Sequence, residues 1–286
     1  MNNKWLILDC SYLCYRAYYA FPDLHHGDIA TGITFGFFRD LVKFQDQFAT
    51  DKIIFTFDFG APLRSKEHPG YKATRQVVNK DELRKRNYIR AAREKLRETT
   101  LLQLGYRNVF FQEGYEADDI IASLCQSIPD DDEIIIISSD HDLYQLLSHR
   151  VSMYSPSSEI DPLVTLQSFY HKYGVTPDQW ADVKAIAGCR GDNVIGIYGI
   201  GELKAISYLK GELKETSDAY KKIESHYNLW TANHRLVSLP YPGCRRFRLA
   251  PDELNELSWK KLSAQIGITT IPTLSPSRST RRLHQA

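Results

Sequence analysis

Acidic residues gather in two stretches of the chain, each at the end of a predicted helix or strand. The first stretch opens an apolar-periodic helix, where capping alone would account for acids, because Asp and Glu complement the unpaired N–H groups of a helix start. The second directly follows a buried-looking strand at 133–138. In an open α/β sheet such ends meet at the carboxyl edge, and five carboxylates gathered there repel one another unless cations neutralise them. The pattern predicts a metal site with Glu116, Asp118, Asp119, Asp140 and Asp142.

Two earlier strands also end on an acid. The apolar run at 4–8 leads into Asp9, and the run at 52–57 leads into Asp58. A single Asp after a strand is commonly a turn former. Two strands with the same ending, in a chain that carries the two acidic stretches, add Asp9 and Asp58 to the predicted metal site.

A strongly basic segment lies between these acids. From Arg64 to Arg97 the chain has twelve Lys and Arg against four Asp and Glu, although its net charge is only +1. We expect a mobile surface loop at 64–79 and a helix at 80–104. A solvated charged helix is the ordinary explanation of such a run. The surplus has one sign, however, which favours contact with the phosphates of a polyanion.

Strands that alternate with helices predict an α/β fold, with a mostly parallel sheet covered by helices on both faces. Beyond Pro162 the pattern is helical only, which predicts a catalytic domain at 1–160, a helical subdomain at 161–270 and a disordered tail at 271–286. No run approaches the ~18 apolar residues of a membrane span. The chain also enters a strand pattern at once, without a signal-peptide pattern, so we expect a cytoplasmic protein. The five cysteines have no CxxC spacing, which indicates neither a disulfide framework nor a zinc site.

Three glycines at 196, 199 and 201 lie between predicted helices, within 186–209. Their spacing resembles the turn of a helix-hairpin-helix, whose backbone N–H groups can hold a phosphate. The string does not follow a predicted strand, so it fails the context test of a dinucleotide-binding fingerprint.

Taken in order, these motifs resemble the 5′-nuclease superfamily, which includes the 5′-nuclease domain of bacterial DNA polymerase I, bacteriophage 5′-exonucleases and flap endonucleases. The resemblance runs from Asp9 to about Pro240. It is carried by Leu-Ile-Leu-Asp9, Phe-Asp58-Phe-Gly, Pro-Gly-Tyr71-Lys72-Ala-Thr-Arg75, Glu116-Ala-Asp118-Asp119, Ser-Ser-Asp140-His-Asp142, Gly-Asp192-Asn193 and Gly196-Ile-Tyr-Gly199-Ile-Gly201.

The resemblance implies a PIN-like fold and one or two Mg²⁺ or Mn²⁺ ions. It assigns the first ion to Asp9, Asp58, Glu116, Asp118 and Asp119, and the second to Asp140, Asp142 and Asp192. It also implies a basic helical arch at about 64–97, with Lys72 and Arg75 on the scissile phosphate and Tyr71 stacked on a base. Duplex DNA would contact the hairpin, with a potassium ion in its turn. The expected DNA contacts are Tyr71, Arg64, Arg84, Gly199, Gly201 and Lys204.

Two positions depart from the family pattern. Cys189 and Arg190 stand in a loop where the family has an aspartate in place of the cysteine, and a thiol is a poor ligand for the hard Mg²⁺ ion. The lysine that often follows Gly-Ile-Gly-x is displaced by one residue, to Lys204.

The sequence thus predicts a monomeric, divalent-metal-dependent 5′-3′ exonuclease or flap endonuclease. Its substrate would be DNA with a 5′ end, flap or nick, and a DNA polymerase would be its partner, in the cytoplasm of a bacterial or phage-infected cell. Two alternatives stay open: a structure-specific DNA-binding protein with an impaired second metal site, and a related PIN-type ribonuclease.

Overall fold

The computed structural model describes residues 3–73, 75 and 79–267. Six strands form the central sheet and four short strands form two hairpins. They are β1 (Lys4–Asp9), β2 (His25–His26), β3 (Ile29–Ala30), β4 (Lys52–Thr56), β5 (Val109–Phe110), β6 (Glu133–Ile137), β7 (Val151–Tyr154), β8 (Leu163–Val164), β9 (Gly188–Cys189) and β10 (Val194–Ile195).

The central sheet has the order β5-β4-β1-β6-β7-β8. Its first five strands are parallel, and β8 is antiparallel to β7. The chain passes from β1 to β4 and β5 on one side and then to β6 and β7 on the other. The strand order therefore reverses at β1, which is where open α/β sheets form their ligand crevices.

Helices cover both faces of this sheet. They are α1 (Cys10–Ala20), α2 (Gly32–Phe48), α3 (Leu63–Glu67), α4 (Lys80–Lys95), α5 (Leu101–Gln103), α6 (Ala117–Ser127), α7 (Leu166–Tyr173), α8 (Trp180–Ala187), α9 (Glu202–Leu209), α10 (Asp218–Ser225), α11 (Tyr227–Val237) and α12 (Glu256–Gln265). One wide turn, Leu96–Thr100, joins α4 to α5, so a helical segment spans most of the predicted 80–104.

The two faces are built by alternate residues of the buried strands. In β1, Leu6 and Leu8 join a core that contains α1, α2 and α12, whereas Ile7 joins a core on the opposite face. That second core continues from α6 into Trp180 and Val183 of α8. Strands apolar on both faces are typical of a covered parallel sheet, and the predicted fold class is confirmed.

Two predictions about local structure are wrong. The chain beyond Pro162 is not only helical, because β8 adds to the edge of the sheet and β9 pairs with β10 in a hairpin. The segment at 64–79 is not entirely a surface loop, since α3 opens it and buries Arg64. The remainder of that prediction falls partly on residues 74 and 76–78, and the tail prediction falls on 271–286, all outside the described residues.

The C-terminal segment returns to the first part of the chain. Ala250 and Asn108 exchange two hydrogen bonds, and Trp259 of α12 packs edge-on against Phe38 of α2 at 5.3 Å between ring centroids. The division of the chain near residue 160 stays a prediction. Within the described residues, no helix is long and apolar enough to cross a bilayer.

Candidate metal centre and nucleic-acid interface

Asp9 lies at the centre of the carboxyl edge of the sheet. It ends β1 and caps α1 by accepting a hydrogen bond from the Tyr12 N–H at 3.0 Å. Its second oxygen accepts from the Ser138 hydroxyl, beyond the end of β6, at 2.9 Å. The carboxylate is 7% exposed, so its orientation is fixed by backbone elements on both sides.

Like charge is concentrated around Asp9. Burial and the charge of Asp58 raise the pKa of Asp9 to about 7. Burial and the charges of Asp140 and Asp9 raise the pKa of Asp118 well above its ordinary value. In the described part of the chain, no Lys, Arg or His forms a salt bridge with Asp9, Asp118 or Asp140. These three carboxylates are oxygen donors without an ion-pair partner among the described residues, which fits a divalent cation.

The centre is open rather than closed. Among the residues the structure describes, no group of three or more Asp, Glu, His or Cys side chains could hold a metal ion as it stands. An ion would therefore have to bring these carboxylates closer together than they stand.

Lys72 reaches this edge from the loop after α3. Its ammonium pairs with Glu116, the residue that caps α6, and lies 3.6 Å from Asp192. Burial works to lower the pKa of Lys72, but the charges of Glu116 and Asp192 outweigh it and the pKa is raised. Lys72 is therefore a positive charge held at the start of α6, the helix that carries Asp118.

A second loop holds the Lys72 loop in place. The Lys72 N–H donates to the Asp192 carbonyl at 2.8 Å, and the Asn193 side chain donates to the Gly70 carbonyl at 2.7 Å. Arg75 donates to the Asp192 carboxylate at 2.6 Å and to the Gly191 carbonyl at 3.0 Å, and its side chain is 54% exposed. The two predicted phosphate-binding residues, Lys72 and Arg75, thus both lie beside the Asp192 carboxylate.

Tyr71 does not have the environment predicted for a base-stacking residue. It is 7% exposed and packs among Ala181, Ala185 and Leu236. Its hydroxyl donates to Glu116 at 2.8 Å. The ring is enclosed because it fills the space between α8 and α11, so in this structure it supports Glu116 and offers no face to a base.

Arg64 and Asp119 correct two further predictions. Arg64 is 2% exposed and donates two hydrogen bonds, of 2.7 and 2.8 Å, to Asp119, which is 0% exposed. Arg64 also donates to the Leu236 carbonyl, and Asp119 accepts from the Tyr241 N–H, both at 2.7 Å. Asp119 is saturated by these partners and cannot face a metal, and Arg64 cannot reach DNA. The pair instead joins α3, α6 and the segment after α11.

Asp58 has partners that sequence reasoning missed. It accepts from the Ala117 N–H at 2.9 Å and the Ser11 hydroxyl at 2.5 Å. Arg93 of α4 also reaches Asp58, at 3.2 Å. Arg93 was counted only as part of the basic run, because nothing in its spacing marks it as the residue that turns inward.

The second group of predicted ligands is paired differently. Lys184, also missed, places its ammonium 3.3 Å from Asp142 and 3.3 Å from Glu202. Cys189 is half-buried in the same place, where burial and the charge of Asp142 raise the pKa of its thiol to about 12. A neutral thiol and an ammonium beside Asp142 do not fit a second divalent cation.

The glycines of the predicted helix-hairpin-helix lie between α8 and α9. Gly199 has φ +80°, Gly201 caps α9, and the Lys204 ammonium donates to the Gly199 carbonyl at 3.0 Å. Gly199, Gly201 and Lys204 are exposed, as is Arg84 on α4. The structure therefore leaves these four predicted DNA contacts open to a ligand.

Residues 4–174 match the family described as 5′-3′ exonuclease, N-terminal resolvase-like domain. The chain belongs to this family of nucleases, and the predicted resemblance to 5′-nucleases is confirmed.

Particular relatives agree with this assignment. A 5′-3′ exonuclease of Mycoplasmopsis pulmonis (strain UAB CTIP) is 32% identical over 225 residues, which cover 78% of this chain and 71% of that protein. The thermostable DNA polymerase I of Thermus aquaticus is 35% identical over 213 residues, 73% of this chain. The chain spans only 24% of that polymerase.

A solved structure shares the fold. It is the bacteriophage T5 D15 flap endonuclease in a pseudo-enzyme-product complex with DNA and metal ions. Its TM-score is 0.67 at 22% identity, and the alignment covers 83% of this chain and 90% of that one.

Proposed function

We propose that the chain is a divalent-metal-dependent 5′-3′ exonuclease or flap endonuclease that hydrolyses DNA phosphodiester bonds near 5′ ends, flaps or nicks. One observation carries the proposal: the carboxylates of Asp9, Asp118 and Asp140 form no ion pair in the described chain, and the Lys72 ammonium pairs with Glu116 at the start of the helix that carries Asp118. The T5 relative, which contains DNA and metal ions, supports the same reading.

Asp9, Asp118 and Asp140 would hold a Mg²⁺ or Mn²⁺ ion, with Asp58 and Glu116 beside them. When bound, such an ion supplies Lewis acidity, which lowers the pKa of water and stabilises negative charge on phosphoryl oxygens. The carboxylates contribute orientation, because Asp9 is fixed by Tyr12 and Ser138 and Asp58 by Ala117.

Lys72 and Arg75 would act on the substrate phosphate. Each is now paired with a carboxylate, Lys72 with Glu116 and Arg75 with Asp192. A phosphodiester at the edge of the sheet would bring negative charge within reach of both side chains. They would then stabilise the charge that develops on the phosphate in the transition state.

The helix-hairpin-helix turn would bind the duplex part of the substrate, at a distance from the bond that is cleaved. This exposed turn offers backbone N–H groups at the start of α9 and the nearby Lys204, which suits contact with phosphates and not with bases. A potassium ion would have to share the Gly199 carbonyl with Lys204. A dependence of duplex affinity on K⁺ over Na⁺ at equal ionic strength tests that part of the proposal.

The relatives that are DNA polymerases support a role beside a polymerase, and five free cysteines in the described residues suit a reducing cytoplasm. The two alternative functions differ in what they require. A DNA-binding protein has no use for carboxylates that remain unpaired at its centre, and a PIN-type ribonuclease does not require the hairpin.

The test is cleavage of labelled flap, nicked, single-stranded and RNA substrates by the full chain with Mg²⁺, Mn²⁺ or EDTA. We expect metal-dependent cleavage of DNA close to the 5′ end or the flap junction. Binding without cleavage in either metal would favour the DNA-binding alternative, and cleavage of RNA alone would favour the ribonuclease.

A further inference from the structure

The two groups of carboxylates at the sheet edge differ in their counter-charges. Asp9, Asp118 and Asp140 have no basic partner among the described residues, whereas Asp142 is paired with Lys184 and Asp192 with Arg75. Only the first group therefore lacks an ion-pair partner within the described residues, which an external cation would supply.

Lys184 is fixed in its position by the surrounding helices. Its side chain is 13% exposed, and its ammonium lies between Asp142, after β6, and Glu202 at the start of α9. The ammonium also lies 5.6 Å from the centre of the buried Trp180 ring. Because two carboxylates and an aromatic ring contact the Lys184 ammonium, we expect the side chain to keep its position when a cation approaches.

Cys189 gives a second cation neither an oxygen donor nor a negative charge beside Lys184. It pairs with Val194 in the β9–β10 hairpin, next to Asp142 and Lys184. A carboxylate at this position would add a hard oxygen donor and a negative charge, but the thiol adds neither. The remaining carboxylates, Asp142 and Asp192, already have basic partners.

We propose that the Lys184 ammonium takes the place of a second divalent cation, so that the protein binds one such ion, at Asp9, Asp118 and Asp140. This inference rests on the proposed function, because it concerns the ions of the same centre. It assigns Lys184 the role of a built-in counter-charge for Asp142. Removal of that charge, together with replacement of Cys189 by an oxygen donor, should create the missing site.

The test counts bound Mn²⁺ by the loss of the free-ion signal in electron paramagnetic resonance, with the full chain and no DNA. We expect one ion for the wild type, none for Asp118→Asn, and two for the double variant Cys189→Asp, Lys184→Gln. The matched control is Lys260→Gln, which breaks the exposed pair with Glu256 on α12 and should leave the count at one.

Each other result decides against the inference. Two ions in the wild type would overturn it and leave the proposed function intact, whereas no ion in the wild type would overturn both. A double variant with native circular dichroism that still binds one ion would show that Lys184 does not fill a second site. The wild-type count remains a test even where the double variant does not fold.

Discussion

Asp118 and Asp119 are neighbours in the first turn of α6, but only Asp118 faces the candidate metal centre. Asp119 is enclosed with Arg64, and removal of one partner of a buried ion pair leaves an uncompensated charge. We expect Asp119→Asn to lower the free energy of unfolding by about 3–5 kcal/mol. Asp118→Asn should abolish cleavage while leaving the metal-free protein equally or more stable, because it removes like-charge repulsion.

Urea unfolding and cleavage, measured on both variants, separate the two roles. A stable Asp119→Asn variant without activity would place Asp119 among the metal ligands after all. Retained cleavage in Asp118→Asn would remove the basis of the metal-centre proposal.

Lys72 and Arg84 should also affect activity in different ways. Lys72 lies at the centre, so Lys72→Ala should lower the single-turnover rate by ~10² to 10³ with a smaller change in affinity. Arg84 is exposed on α4, so Arg84→Ala should leave the rate at saturation unchanged and reduce the salt dependence of binding by about one phosphate contact. Cleavage rates and Kd values at several salt concentrations distinguish the two variants. If both variants changed rate and affinity in the same way, Lys72 and Arg84 would not have the different roles proposed here.

At the scale of elements, the carboxyl edge of the sheet should make stability depend on pH. Burial and the charge of Asp58 raise the pKa of Asp9 from 3.8 to about 7, and burial and the charge of Asp140 raise that of Asp142 to about 6. The folded metal-free protein therefore binds more protons than the unfolded chain between about pH 4 and about pH 7, and its stability falls as pH rises through that window.

Unfolding midpoints in EDTA across this range measure the effect. We expect Asp9→Asn to reduce the slope, and added Mn²⁺ to reduce it as well, because the ion neutralises the same charge. A midpoint that rises with pH in EDTA would show that these carboxylates are stabilised rather than strained by their surroundings.

The hairpin between α8 and α9 should act on binding alone. Gly199→Ala places a side chain at φ +80°, in the turn that we expect to contact duplex DNA, and should weaken duplex affinity several-fold. Gly211→Ala places a side chain at a comparable φ, +71°, after the end of α9, and is the matched control. Equal losses of affinity in the two variants would mean that strain, and not the turn itself, weakens binding.

For the whole molecule, the returning C-terminal segment should be part of the folding unit of the sheet. Trp259 is buried against Phe38, so Trp259→Ala should destabilise the chain by about 3–5 kcal/mol. Leu257→Ala, on the exposed side of α12, should have almost no effect. Unchanged urea midpoints in both variants would show that α12 is dispensable and that the core closes without it.

The location of the centre was predictable from the sequence for a simple physical reason. Parallel strands present their carboxyl ends at one edge, so the acids that follow the apolar runs of β1, β4 and β6 had to converge. To predict that Asp9 and Asp140 lie at this edge, it was enough to recognise the strands and to see that each residue follows one. The hairpin was likewise marked by its glycines, since a turn with positive φ restricts the residue type locally.

Which acids remain free was decided only by the tertiary structure. Asp119 meets Arg64 across 55 positions of sequence, and Asp142, after β6, meets Lys184 of α8. Periodicity shows which face of a helix is buried, but an ion pair depends on the distance between side chains that distant elements bring together. The sequence by itself therefore determined the fold class and the edge at which the acids gather, whereas packing determined that Asp9, Asp118 and Asp140 form no ion pair within the described residues.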